Sequence, residues 1–229
     1  DDTRDAGGTY ALHTLKENET IAQLATGVRR FELPDEFNFI RLYQQVAEEA
    51  KDAYRLEALV RLAEVFENRR QYSRAAQYWR QAIEAARDAQ RKRSFQNRLE
   101  QITGNWGRFE PCTTQPAGRG ATLEFRFRNG KQVEFVAEEI DIAKLLEDVK
   151  AHIKSRPRQL EWERVNIGNL GWRLIQRNQR QYLRGQVAAW KLELQPRENH
   201  FDRRVTVTTP LQKAGAYLVT AKMAGGNTT

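Results

Sequence analysis

The feature that most constrains this chain is a change of hydrophobic period partway along it. Up to about residue 102, apolar side chains recur at every third or fourth position; beyond residue 121 they recur mainly at every second. The first spacing lines one face of a helix, the second one face of a strand. Between them, the stretch 103–121 carries Gly104, Gly107, Pro111, Pro116, Gly118 and Gly120, residues that interrupt both kinds of element. The pattern predicts an α+β, multidomain chain. Its expected parts are an N-terminal segment over 1–35, a helical module over 36–104, a linker over 105–121, and a β-sandwich with one inserted helix over 122–229. A length of 229 residues suits one or two domains with their own cores. No apolar run approaches the ~20 residues that cross a bilayer.

In the first expected helix, over 37–51, Phe39, Leu42, Tyr43, Val46, Ala47 and Ala50 fall at helical spacing. Leu59, Leu62, Ala63 and Phe66 then occupy i, i+3, i+4 and i+7. After a break at 68–72, Ala75, Ala76, Trp79, Ala82 and Ile83 repeat the spacing. Two amphipathic helices joined by a short turn make an antiparallel pair, and a further helix is expected near 89–102. These positions resemble the tetratricopeptide repeat. Leu59, Leu62, Ala63 and Phe66 fill its first-helix slots, Tyr72 its aromatic turn position, and Ala75, Trp79 and Ala82 the small, aromatic and small places of its second helix. Small residues let two helices approach and aromatics fill the space between them. The repeat's closing proline is missing, with Arg87 near its place, and a generic helical hairpin fits the same spacing. Residues 9–33 carry mixed spacing; Asn18 to Thr20 could start a short helix ending at Gly27.

Beyond residue 121, Leu123, Phe125 and Phe127 alternate with Glu124 and Arg126, and Val133, Phe135 and Ala137 alternate again. If these two strands form a hairpin, parity selects its loop. A two-residue Asn129-Gly130 loop sets Phe125 opposite Glu134 and mixes the faces. A three-residue loop, Arg128-Asn129-Gly130, sets Phe125 opposite Val133 and Leu123 opposite Phe135, with Gly130 in the left-handed position. Asp141 can cap a helix whose apolar residues are Ile142, Leu145, Leu146, Val149 and Ile153, stopped by Pro157. Residues 160–185 fit neither period. Strands resume at 187–194, 203–208 and 216–222, and several short strands with turn signals suggest a sandwich. Its expected core includes Trp190, Leu192, Leu211, Tyr217 and Val219.

Three stretches carry a resemblance: Val187-Ala-Ala-Trp190-Lys-Leu-Glu-Leu194, Val205-Thr-Val-Thr-Thr-Pro-Leu211, and Ala214-Gly-Ala-Tyr-Leu-Val-Thr-Ala-Lys222. With the 123–137 pattern and Ile140-Asp-Ile142, they resemble the macroglobulin-type sandwich domains of bacterial alpha-2-macroglobulin-like proteins, over roughly residues 121–229. The resemblance implies an immunoglobulin-like, macroglobulin-type β-sandwich. It also implies a non-enzymatic, very large, exported protein (periplasmic, cell-surface or secreted) of the protease-entrapment or surface-defence class. The chain would be a scaffold and interaction fragment of it, contacting other domains of the parent chain or a protease, with no cofactor. Family members often carry an internal thioester formed by Cys-Gly-Glu-Gln. That motif is absent; Cys112-Thr-Thr-Gln115 keeps only its outer spacing. A chain that starts at Asp1, with Met223 its sole methionine, reads as a processed or excised piece. The end at Gly225-Gly-Asn-Thr-Thr229 reads as falling short of a closing strand.

The formal charge is +8: net −3 over 1–35, +3 over 36–107 and +8 over 108–229. Such an excess suits nucleic acid or an acidic protein face, although no recognisable reading module accompanies it. Arg173, Arg177, Arg180 and Arg184, spaced 4, 3 and 4 apart, share one face if helical. That face is either a solvated basic surface or a dock for an acidic partner. His13, His152 and His200 lack zinc-ligand spacing, and Ser73, Ser94 and Ser155 lie in no Gly-x-Ser-x-Gly context. Gly118-Arg-Gly120 precedes a strand, the wrong order for a phosphate loop. No catalytic residue, metal or cofactor is expected. Two other functions remain open: a stand-alone tetratricopeptide-type peptide-binding adaptor and a basic nucleic-acid-binding module.

Overall fold

A computed structural model describes residues 12–155, 165–166, 168, 170–176 and 179–229. The chain mixes helix with small sheets and separates into two compact units. One comprises Asp1–Asn105 with Phe127–Asn129 and Pro196–Arg203; the other comprises Trp106–Arg126, Gly130–Gln195 and Arg204–Thr229.

In the first unit, β1 (Glu19–Leu24) and β2 (Gly27–Glu32) form an antiparallel hairpin with Thr20 opposite Phe31 and Leu24 opposite Gly27. A strand stands where a short helix from Asn18 to Gly27 was expected. β-Branched Thr20, Ile21 and Val28 favour extended backbone, and Gly27 adopts a φ of +106° at the end of a two-residue turn, which glycine accepts without steric cost. Four helices follow: α1 (Phe39–Glu49), α2 (Asp52–Asn68), α3 (Tyr72–Ala85) and α4 (Ala89–Thr103). Asn38 and Asp88 cap α1 and α4, their side chains accepting from the backbone N–H of Arg41 at 3.2 Å and of Arg91 at 2.7 Å.

Each helix packs on the next in sequence. Leu59, Leu62, Ala63 and Phe66 of α2 meet Ala75, Ala76, Trp79 and Ala82 of α3, and all eight are at most 2% exposed. Tyr72 is half-buried against this cluster. Phe66 stacks on Tyr78 at 5.4 Å. The Trp79 indole donates to Glu67 Oε2 at 3.2 Å, and Arg98 pairs with the same carboxylate while lying over the indole ring. At the α2–α3 turn, Arg69 is 7% exposed. It donates to the carbonyls of Lys16 at 2.9 Å and Glu19 at 2.7 Å, and Gln71 Nε2 donates to that of Leu15 at 2.7 Å. These bonds tie the hairpin to the helices by satisfying carbonyls that flank β1.

The second unit holds β3 (Trp106–Phe109), most of β4 (Thr122–Arg128), β5 (Gln132–Ile140), α5 (Ile142–Lys154), a short helix Leu170–Gln176, β6 (Leu183–Glu193), most of β7 (Arg203–Thr208) and β8 (Ala216–Met223). β3 lies inside the stretch expected as linker. Two three-stranded sheets form, in the orders β3-β4-β7 and β6-β5-β8. β4 and β5 therefore do not make the hairpin that parity was used to register. β5 is flanked on both sides, Phe135 sitting opposite Trp190 of β6 and opposite Ala221 of β8, so no edge is left for β4. The two strands instead face each other through their apolar sides. Phe125 and Phe135 are fully buried and meet edge-to-face with centroids 5.5 Å apart. Asn129 rather than Gly130 takes the left-handed conformation, at φ 58°. Its side-chain amide donates to the carbonyls of Ile102 and Gly104, both at 2.9 Å, and asparagine tolerates this region better than most residues.

The buried hydrophobic residues of these strands are Phe125, Phe127, Val133, Phe135, Ala137, Ile140, Val207, Ala221 and Met223. Trp190, Leu192, Leu211, Tyr217 and Val219, expected as core, are half-buried. All but Leu211 lie on β6 and β8, the outer strands of the β6-β5-β8 sheet. Asp141 caps α5, accepting from the Lys144 N–H at 3.0 Å. Leu145 packs with Leu170, Leu174 and Tyr182.

Candidate functional site

Three of the four arginines singled out by spacing are described, and they lie in three different elements. Arg173 lies in the short helix, only 4% exposed, and its Nε–H donates to Gln179 Oε1 at 3.1 Å. Arg180 is exposed in a 3-10 turn, and Arg184 is exposed on β6; Arg177 lies outside the described residues. Arg173, Arg180 and Arg184 therefore do not share the one helix that the spacing presumed. Arg184 pairs with Glu139 at 3.1 Å and Asp141 at 3.0 Å. The Arg184 hydrogen bond, then the Lys144 N–H, holds the Asp141 carboxyl below the ordinary aspartate range.

Side chains capable of chemistry converge instead beside the second half of α5. Asp148 and His152 of α5, Ser155 just beyond its end, Arg173, Gln179, Gln181 and Tyr182 line a recess of about 440 Å³. The Tyr182 hydroxyl donates to Asp148 Oδ2 at 2.8 Å. Burial first, and Asp148 second, push this phenol up. His152 Nε2 is buried without a hydrogen-bond partner among the described residues. Ser155 donates its hydroxyl to the His152 carbonyl at 2.7 Å, so it is not oriented by the ring as a nucleophile is by its base. Among the described residues, no hydroxyl is hydrogen-bonded to the His152 ring.

A second cavity, of about 560 Å³, opens in the same unit. The 112–117 loop forms one wall, and Leu123, Leu211, Tyr217 and Val219 supply apolar lining. Three residues expected in a closed core thus line an opening. Gln115 pins the wall: its Nε2 donates to the Thr122 carbonyl at 2.6 Å and its Oε1 accepts from the Thr122 N–H at 2.8 Å. The amide stands in for the peptide group of a neighbouring strand. Cys112 is exposed on the same loop. Alternation in the sequence marked Tyr217 and Val219 as one-faced but carried no sign that they line a cavity.

No known family, curated protein or solved structure matches this chain. Among the described residues, no cluster of His, Cys, Asp and Glu is arranged to hold a metal ion, and no helix is long and apolar enough to cross a membrane.

Proposed function

We propose that this chain is a non-catalytic interaction and scaffold portion of a large, exported alpha-2-macroglobulin-like protein, of the protease-entrapment or surface-defence class. In this reading the helical unit is a tetratricopeptide-like module and the two-sheet unit a macroglobulin-type sandwich. The observation that carries it is the position of the resembling stretches. Val187–Leu194, Val205–Leu211 and Ala214–Lys222 each cover part of a strand, namely β6, β7 and β8, divided between two sheets that share an aromatic core. The small, aromatic, small face of α3 against α2 supports the helical half of the reading.

One observation favours a second reading, a stand-alone peptide-binding adaptor. Leu42 and Val46 lie one turn apart on α1, and both are exposed, as are Phe37 and Tyr54. An exposed apolar helix face suits either a neighbouring repeat or a bound peptide. Antibodies raised against this chain separate the two when used on fractionated source cells. The scaffold reading expects a polypeptide many times longer than 229 residues in the envelope or secreted fraction. A cytosolic polypeptide of about this chain's own size would refute it in favour of the adaptor.

A further inference from the structure

The segment Pro196–Arg203, between β6 and β7, belongs to the helical unit and is held there by its side chains. Phe201 meets the rings of His13 and Tyr72 edge-on, with centroids 5.3 and 5.5 Å away, and Arg197 lies over it at 5.3 Å. Ser73 donates to Asn199 Oδ1 at 3.1 Å, and Asp202 pairs with Arg128 Nε at 2.7 Å. Two consecutive residues, Asn199 at φ +57° and His200 at φ +60°, take the left-handed conformation. That conformation costs residues other than glycine free energy, which the surrounding contacts must offset.

His200 is half-buried, and its hydrogen bonding is dictated by Asn129. Both hydrogens of the Asn129 amide go to carbonyls, those of Ile102 and Gly104, at 2.9 Å each. Asn129 Oδ1 therefore accepts, and His200 Nδ1 beside it at 2.8 Å donates. The neutral ring thus carries its hydrogen on Nδ1 and its lone pair on Nε2, where a second proton would go. Arg128 and Arg80 both oppose that proton. Arg128 is fixed in place: besides Asp202 it holds the Gln101 carbonyl at 2.9 Å and lies over the Tyr72 ring at 5.2 Å. Arg80 stands exposed on α3. Within the segment, Asp202 is engaged by Arg128, and the other charged side chains, Arg197, Glu198 and Arg203, are exposed. Burial first, then Arg128 and Arg80, hold the His200 ring below the ordinary histidine range.

We propose that His200 is an acid-operated latch: the neutral ring keeps Pro196–Arg203 on the helical unit, and a proton on Nε2 releases the segment. Release moves the ring into water, away from Arg128 and Arg80, and frees Asn199 and His200 from the left-handed region. The open form therefore binds the proton more readily than the closed one. The advantage of the closed form is complete above the ordinary histidine value of about 6.5. It is lost as pH falls from there to the lowered value of the closed chain. Release uncovers the Phe201 and Tyr72 rings, which cover each other in the closed form. This inference does not depend on the family reading, because it uses only contacts within the helical unit.

Nuclear magnetic resonance of the whole chain tests it, following the His200 ring signals and the Overhauser contacts of Phe201 with Tyr72 and His13. On acidification from about pH 7.5 to about pH 5, both sets of contacts are expected to fade in step with protonation of His200. The ratio of open to closed chain should rise several-fold, by at most about tenfold per pH unit for one proton. His200→Gln retains a donor for Asn129 and has no ring to protonate, so its contacts should not respond to pH. His13→Gln should keep the response of the Phe201–Tyr72 contact. Contacts that persist in the wild-type chain after His200 is protonated overturn the proposal. So does fading at a pH different from the His200 midpoint, a result that stands whether or not either variant folds. An unchanged pH response in His200→Gln, or its loss in His13→Gln, assigns the titration to another group and overturns the proposal as well.

Discussion

The helical unit and the two-sheet unit bury their interiors by different routes. In the first, the core comes from neighbours in sequence: Leu59, Leu62, Ala63 and Phe66 meet Ala75, Ala76, Trp79 and Ala82 across one short turn. In the second, Phe125, Phe135, Trp190 and Ala221 come from four strands scattered along the chain. Rings set against alanine fill the helical pair, whereas the sheets depend on a string of ring contacts: Phe109, Phe125 and Trp190 all lie within about 6 Å of Phe135. A local period is enough to specify the first core. The second needs partners that no local period names.

Truncating the hub of each core probes this contrast at its largest scale. Phe135→Ala removes a fully buried ring with three ring neighbours and is expected to cost about 4 kcal/mol. Leu62→Ala, equally buried, is expected to cost about 3 kcal/mol. Urea unfolding of both variants measures the difference, and a larger loss for Leu62→Ala would reverse the proposed weight of ring contacts. Close approach gives a smaller effect. A methyl group on Gly107 would clash with the Phe125 ring and crowd Met223 Sδ, so Gly107→Ala should destabilise by roughly 1–3 kcal/mol. Ala82→Leu overfills the α2–α3 contact, where Ala82 is fully buried, and should cost a similar amount. Thermal melts of these two variants show whether both cores are equally intolerant of added volume.

The smallest effect concerns pH. Asp141 has a lowered pKa in the folded chain, held there first by Arg184 and then by the Lys144 N–H. Its contribution to stability is therefore complete above the ordinary aspartate range and is lost as pH falls through the lowered value. The pair is exposed, so solvent screening keeps the effect small. Asp141→Asn keeps a capping side chain while removing the charge. It should flatten the acid limb of the stability profile, read by denaturant midpoints measured at successive pH values.

What the residues revealed in advance follows from the same contrast. The faces of α2 and α3, and the Asp141 cap, depend on neighbours within a turn or two, and spacing displays them. The strands at 123–127, 133–137, 187–194, 203–208 and 216–222 were visible for the same reason. Their pairing was not. Phe125 and Val133 alternate as well in two facing sheets as in one hairpin. The β1–β2 hairpin escaped notice because its residues are exposed or half-buried and so lack an alternating face. The arginine spacing presumes one helix, whereas the described Arg173, Arg180 and Arg184 belong to a helix, a 3-10 turn and a strand. The cavity left no mark, since its lining comes from the separate stretches 112–123 and 209–219.

The placement of β4 and β5 in separate sheets is tested most directly by proton–proton distances across the strands, measured by nuclear Overhauser spectroscopy. Short backbone contacts are expected from Phe135 to Trp190 and to Ala221, with only ring-to-ring contact between Phe125 and Phe135. Short backbone contacts between Phe125 and Val133, and between Leu123 and Phe135, would contradict it by restoring the simple hairpin.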